Sequence, residues 1–397
     1  MITNKQSIAK SLLQVMALVA TATFLFTACK KDSTSTSTAV VPPSNPITSS
    51  TISGGFVKGT LLTSVGTYNV NGDLYVKSTD TLFVQPGVTV IVNNNAQVNI
   101  AGTLIVAGTQ TSPITFTSAT GQPGTWGGFQ CDSAKYVKIQ WAKVIATGGP
   151  DSTGSARKTL YVNAADSVIV HDSWFSGGRD DGIRCGSGAK ISILRNTIEN
   201  QGSTDGEAIN LKTGVTGDIA YNVIWSSAGS AVKVGTDKTI LVPQTNVRIY
   251  NNTLVNNGFR RGAAEPGRGI LVDVSAIATI FNNLMVNNYY GLDITAKADT
   301  IHTTYGNNYF YATIDSVRAF YYPAGDWGKA QSSDIISTSA TSYNPLFKTF
   351  ATTVDPSATT DANDFHLQSG SPAIGKGNST YNNDIGAYTS DGKGNQH

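Results

Sequence analysis

The chain of 397 residues carries 28 Lys and Arg against 26 Asp and Glu, a formal net charge of +2, with only 14% charged residues and 40 Gly. So even a balance gives no molecule-wide field for a polyanion, which excludes nucleic acid as a partner, and three cysteines cannot build a disulfide framework. Length alone would allow two or three domains, but a chain that repeats grows in one dimension and escapes that limit.

In chain order, residues 1–28 place Lys5 and Lys10 before a mostly apolar run from Leu12 to Phe26, then Thr27 and Ala28. A basic head, a short apolar region and a small residue before a cut form a secretory signal, too short for a lasting transmembrane helix. Phe26-Thr27-Ala28-Cys29 resembles the lipobox of bacterial lipoproteins, and the resemblance implies lipidation at Cys29. Lys30 follows that Cys, which points to an outer-membrane lipoprotein facing the periplasm or the cell surface, held to the membrane by its lipid alone. The remainder of 29–55 is rich in Ser, Thr and Pro and is expected as a disordered tether.

From 56 to 146 short strands are predicted at Val88–Val92, Gln97–Ile100 and Thr103–Val106, divided by turn signals such as Pro86-Gly87 and Asn93 to Asn95. Gly102-Thr103-Leu104, Pro113-Ile114-Thr115-Phe116 and Gly124-Thr125-Trp126-Gly127-Gly128 resemble the first coils of right-handed parallel β-helix proteins of the pectin-lyase-like superfamily. That implies an all-β fold, a single-stranded right-handed parallel β-helix, with Trp126 as a packing residue.

Across 147–310 one pattern returns five times, with Asp172, Asn196, Asn222, Asn252 and Asn283 each opening a short apolar strand about 24 to 31 residues after the last. That spacing is too long for a hairpin and suits one coil of a solenoid. Stacked Asn side chains would bond coil to coil and satisfy a buried corner. A column of small residues, Gly182, Ala208, Ala231, Gly269 and Gly291, aligns the next strand. Its inward positions then read Cys185, Leu211, Val234, Val272 and Ile294, and its outward positions Arg184, Asn210, Lys233, Leu271 and Asp293. Cys131 and Cys185, some two coils apart, read as small buried hydrophobes. Residues 311–388 are expected as the last coils and cap. Asn344-Pro345-Leu346-Phe347, Asp364 to Leu367, Ser371 to Gly375 and Asp384-Ile385-Gly386 resemble the terminal coil of many such proteins, which implies a cover for the last open strand edges. Residues 389–397 are expected as a disordered tail.

The polar turns before the aligned strands stack acidic, basic and aromatic groups on one edge: Asp180, Asp181, Asp205 and Glu207, then Arg260, Arg261 and Arg268 on the insert from Gly258 to Gly269, then Tyr289 and Tyr290. Asp181 and Glu207 align one coil apart, where two carboxylates need a cation or a shared proton between them. The four acids could supply oxygen ligands to Ca²⁺. Asp180-Asp181-Gly182 followed about a coil later by a Lys is similar in outline to calcium-dependent pectate lyases. The likeness implies Lys212 or Lys233 as the base of an eliminative cleavage. Arg184, Arg260, Arg261, Arg268, Tyr289 and Tyr290 would then hold an acidic polysaccharide. Without a Gly-His-Gly in the repeats, a polygalacturonase-like hydrolase is disfavoured. Two classes stay open: a monomeric envelope-anchored protein that binds and cleaves a uronate polymer, or a non-catalytic β-helix for adhesion, glycan capture or envelope structure.

Overall fold

Residues 42–163, 165–236, 241–350 and 363–397 are described by the structure, a computed structural model. The signal segment, Cys29 and the tether as far as residue 41 lie outside the described residues. Short strands follow one another in a fixed cycle of three, and each pairs in parallel with the strand one turn later. Tyr136–Gln140 pairs with Ser167–His171, and that strand with Lys190–Leu194. Among the described residues the result is three all-parallel sheets of 11, 12 and 10 strands. The first runs from Pro46–Ile47 to Thr304–Gly306, the second from Thr51–Ile52 to Ile335–Ile336 and the third from Gly55–Phe56 to Tyr290–Ile294. Parallel crossovers between twisted strands are right-handed, and the coil takes that hand.

The coil starts earlier than expected. Pro46–Ile47 pairs with Thr60–Leu61, and Thr51–Ile52 aligns with Asn69 and Val70, so the end of the expected tether is the first turn of the solenoid. Two isolated Ile residues in a Ser/Thr background suffice, because the edge they pair with is already formed.

Period-2 alternation drives the core. On the third sheet Cys131, Val162, Cys185, Leu211, Val234, Val272 and Ile294 are in register and fully buried. Both cysteines are free, two coils apart, and burial pushes the Cys185 thiol up to about 12. Trp126 is fully buried, donates its indole N–H to the Ile145 carbonyl at 2.8 Å and packs edge-on against Phe129. Gly217 interrupts the inward column of the first sheet between Ile191 and Val247. Its φ of +132° suits only glycine, and a Cβ there would lie 1.9 Å from the Ile191 carbonyl oxygen. Gly217→Ala is therefore expected to cost about 2 kcal/mol or more in chemical unfolding. An unchanged midpoint would show that the strand shifts freely.

The Asn column is a ladder at the corner between the first and second sheets. Asn196, Asn222 and Asn252 each donate Nδ2 to the next Oδ1 at 2.9 Å, and Asn283 donates to Asn308 at 3.0 Å, one member beyond the predicted set. Asp172 is not a member. It occupies the left-handed position before the ladder, as Arg195 and Tyr221 do in the following coils, and pairs with Arg195 at 2.6 Å. Ser173 holds the ladder position there, its N–H donating to Asn196 Oδ1 at 3.0 Å. A second, shorter ladder stands between the second and third sheets, where Asn257 Nδ2 donates to Asn288 Oδ1 at 2.8 Å.

The C-terminal segment corrects the expected cap. Instead of covering the last coil, Phe347, Phe365, Ala373, Ile385 and Ala387 pack across coils on Val223, Trp225, Val255, Leu284, Val286, Tyr309 and Tyr311, the outward side chains of the second sheet. The last coil is closed by 312–321, whose four-residue helix Asp315–Arg318 and Tyr321 bring Val317 and the tyrosine ring into the main core. Residues 389–397, expected as a disordered tail, continue down the ladder corner. Asn395 donates to the carbonyls of Asn196 and Tyr221 at 3.2 Å, and the His397 ring stacks on Trp174 with centroids 3.9 Å apart. Backbone groups at that corner point outward and give the strap its hydrogen-bond partners.

Candidate functional site

The outward residues of the third sheet form one register column along the whole solenoid: Phe56, Tyr75, Asn99, Gln130, Tyr161, Arg184, Asn210, Lys233, Leu271 and Asp293. The last five are in the predicted register. The first five were not singled out as functional, though Tyr75 stands in an alternating strand between the buried Leu74 and Val76.

Asp181 and Glu207 do stand one coil apart, at the edge of this sheet and almost wholly buried. Asp181 Oδ1 accepts the Glu207 N–H at 2.9 Å, and its Oδ2 accepts Asn210 Nδ2 at 2.9 Å. Burial and the neighbouring Glu207 carboxylate raise Asp181 well above the usual carboxylate range. At Glu207 burial opposes ionisation but is outweighed by the Lys233 ammonium, the hydrogen bond with Asp181 and the Arg261 guanidinium, so this carboxyl is held low. Burial and mutual repulsion thus favour one proton shared by the pair. Direct contact between the two carboxyls is too close for a glycosidase acid and base, which need about 5 Å or more to admit the reaction.

The four acids do not converge as a cation cage. Asp180 Oδ2 meets Lys158 Nζ at 2.7 Å, Asp205 Oδ1 meets Arg261 Nη2 at 3.1 Å, and Glu207 Oε1 meets Lys233 Nζ at 3.1 Å and Arg261 Nη1 at 2.6 Å. Among the described residues no group of three or more His, Cys, Asp or Glu side chains is arranged to hold a metal ion. Each carboxylate already has a cation or an N–H donor, so this set does not fit Ca²⁺.

The predicted cations separate into three places. Arg261 folds back from the insert over Asp205 and Glu207 and also meets Glu265 at 3.0 Å. Arg260 donates to Ser226 Oγ at 3.0 Å and to the carbonyls of Gln201 and Gly202 at 3.0 and 2.9 Å, pinning the insert to earlier coils. Arg268 Nε meets Asp293 Oδ2 at 2.9 Å and its guanidinium lies 5.3 Å from the Tyr290 ring centre. Tyr289 and Tyr290 belong to a ring cluster with Phe259 and Phe320, apart from the lysines. Lys233 is engaged in its ion pair with Glu207 at 3.1 Å.

Lys212 is different. It projects just past Leu211 into a cleft of about 490 Å³ shared with Tyr161, Asn163, Arg184 and Thr213 and walled by Val242 and Pro243. No carboxylate lines the cleft among the described residues. Burial, then the nearby charges of Lys233 and Arg184, lower the Lys212 pKa. Arg184 has one acidic neighbour, Asp181 Oδ2 at 3.8 Å, whose pKa is raised by burial and by Glu207. Arg184 and Lys212 thus share one cleft whose lining carries no carboxylate.

Fold and register define a right-handed parallel β-helix protein. The model described as a right handed beta helix region matches residues 128–310, and the one described as a pectate-lyase like beta helix domain matches 54–143. Over those residues the chain is similar to right-handed β-helix and pectate-lyase-like β-helix domains. No curated protein and no solved structure matches it.

Proposed function

We propose that the chain is an outer-membrane lipoprotein, anchored through Cys29, that binds an acidic polysaccharide along its third sheet and cleaves it by β-elimination with Lys212 as the base. The observation that carries this reading is the cleft with Arg184 and Lys212 and no carboxylate among its lining residues. The pectate-lyase likeness of residues 54–143 supports a polysaccharide as the ligand. Arg184 would pair with the carboxylate of a uronate and so acidify its C5–H. Lys212 Nζ takes that proton, the C4–C5 double bond forms, and the C4–O bond breaks, its oxygen taking a proton from water. A lysine must be neutral to act so, and burial beside other cations favours the neutral amine.

Ultraviolet absorbance of the unsaturated product, followed with a panel of uronate polymers, tests this. Activity is expected to climb with pH through a value below that of an ordinary lysine, and Lys212→Ala to lose about 100-fold or more in rate while still binding polymer. Arg184→Ala is expected to weaken binding as well. A second reading, a non-catalytic glycan-binding module, is favoured by the ion pairs that occupy most of the other charges on this edge. Polymer retained with no unsaturated product from the wild type would select it.

A further inference from the structure

The strongest unassigned feature is at the other end of the same register column. Phe56 is 73% exposed and Tyr75 42% exposed, on an open sheet face where nothing in the described fold covers them. Their rings meet edge to face with centroids 6.1 Å apart, Lys77 Nζ sits 4.1 Å from the Phe56 ring centre, and Tyr75 Oη donates to Asp73 Oδ2 at 3.2 Å. Together they wall a cleft of about 530 Å³ whose far side carries Asn99, Gln130 and Asp132. An exposed aromatic pair held rigid beside amide and acid groups is the surface of a binding site, not of a solvated face.

We infer that this cleft is a distal sugar subsite, in which Phe56 and Tyr75 stack on the apolar ring faces of the polysaccharide whose other end reaches Lys212. The inference rests on the polysaccharide reading above. Continuity argues for it. Gln130 borders both this cleft and a hollow containing Arg157 and Lys158, and Tyr161 and Arg184 border both that hollow and the Lys212 cleft. From Tyr75 to Arg184 the column advances four coils, about 19 Å at about 4.8 Å per coil. One coil is close to the rise of one sugar in an extended chain, so successive rings could meet successive side chains. An exposed aromatic surface is indifferent to charge and takes the C–H face of a ring, while Arg184 takes a carboxylate.

The test is the affinity of the full-length protein for uronate oligomers of about two and about eight sugars, lengths chosen from that coil spacing. The Phe56→Ala/Tyr75→Ala double variant is expected to bind the long oligomer about tenfold more weakly and the short one unchanged. Equal affinity of variant and wild type for the long oligomer overturns the inference, as does an equal loss at both lengths. A double variant that keeps glycan affinity but changes its sedimentation overturns it too, and assigns the rings to a second copy of the chain. If Arg184→Ala leaves long-oligomer affinity intact while the aromatic variant lowers it, the distal subsite stands and the reading centred on Lys212 falls. A wild type that binds neither length removes both.

Discussion

Replacing Asn252 by Ala is expected to lower the unfolding free energy by about 3 kcal/mol, a large share of the stability of an ordinary domain. Asn252 is fully buried. Its Nδ2 donates to Asn283 Oδ1 at 2.9 Å and to the carbonyls of Ile219 and Tyr250 at 3.0 and 3.1 Å. Its Oδ1 accepts the Asn222 N–H at 3.0 Å and Asn222 Nδ2 at 2.9 Å. Alanine would leave the Asn222 backbone N–H, one of the two Nδ2 hydrogens of Asn222 and the Asn252 bond to the Ile219 carbonyl unmet in a dry corner, each at about 1 kcal/mol or more. The comparison is Asn93→Ala, which removes a bond of 3.0 Å to Asn71 on an exposed turn and should cost less than about 0.5 kcal/mol. Denaturant unfolding of both variants reads the difference. Equal losses would mean that the ladder is ornament and that inward apolar packing alone holds the coils in register.

The same corner shows what the sequence could and could not convey. Alternation identified which residues face inward, and the small-residue column set the third-sheet register from Arg184 to Asp293 without error. Asp172 failed because both the left-handed residue and the ladder residue beside it are polar, and only backbone conformation tells them apart. Charge pairing on the candidate site was hidden for another reason: Arg261 reaches Glu207 because an insert folds back over earlier coils, a long-range choice that no local pattern encodes. The strap did leave a signal. Val223-Ile224-Trp225, Leu284-Met285-Val286 and Tyr309-Phe310-Tyr311 have no polar alternation, and a strand apolar on both faces must be covered on both. Phe56 was legible as a strand residue only once Gly55–Phe56 was known to pair with Leu74 and Tyr75.

Glu207→Ala is the second variant with a large expected effect, about 3 kcal/mol of destabilisation at neutral pH, because it strips the counter-charge from Lys233 and removes the most buried of the three carboxylates around Arg261. Asp181 softens the blow. Freed of the neighbouring carboxylate it ionises more readily and turns its charge toward Arg184, so Asp181→Asn/Glu207→Ala should fall below the sum of the single changes. The pH profile separates the two carboxyls. Asp181 has its folded value raised to about 8, by burial first and then by Glu207. It therefore supports the fold fully below its unfolded value near 3.8, and that support drains away as the pH climbs toward about 8. Glu207 has its folded value lowered to about 2, where Lys233 and Arg261 outweigh burial, so its support is complete above about 4.5 and is lost only in acid. Between pH 5 and 8, then, only the Asp181 limb is active within this pair. Asp181→Asn keeps the shape, removes the titration, and should flatten the wild-type decline, gaining on the wild type as the pH rises from 5 to 8. Parallel stability curves for wild type and Asp181→Asn would place the shared proton elsewhere. They would also return a full negative charge to the neighbour of Arg184, and with it weaken the case that this arginine is open to a substrate carboxylate.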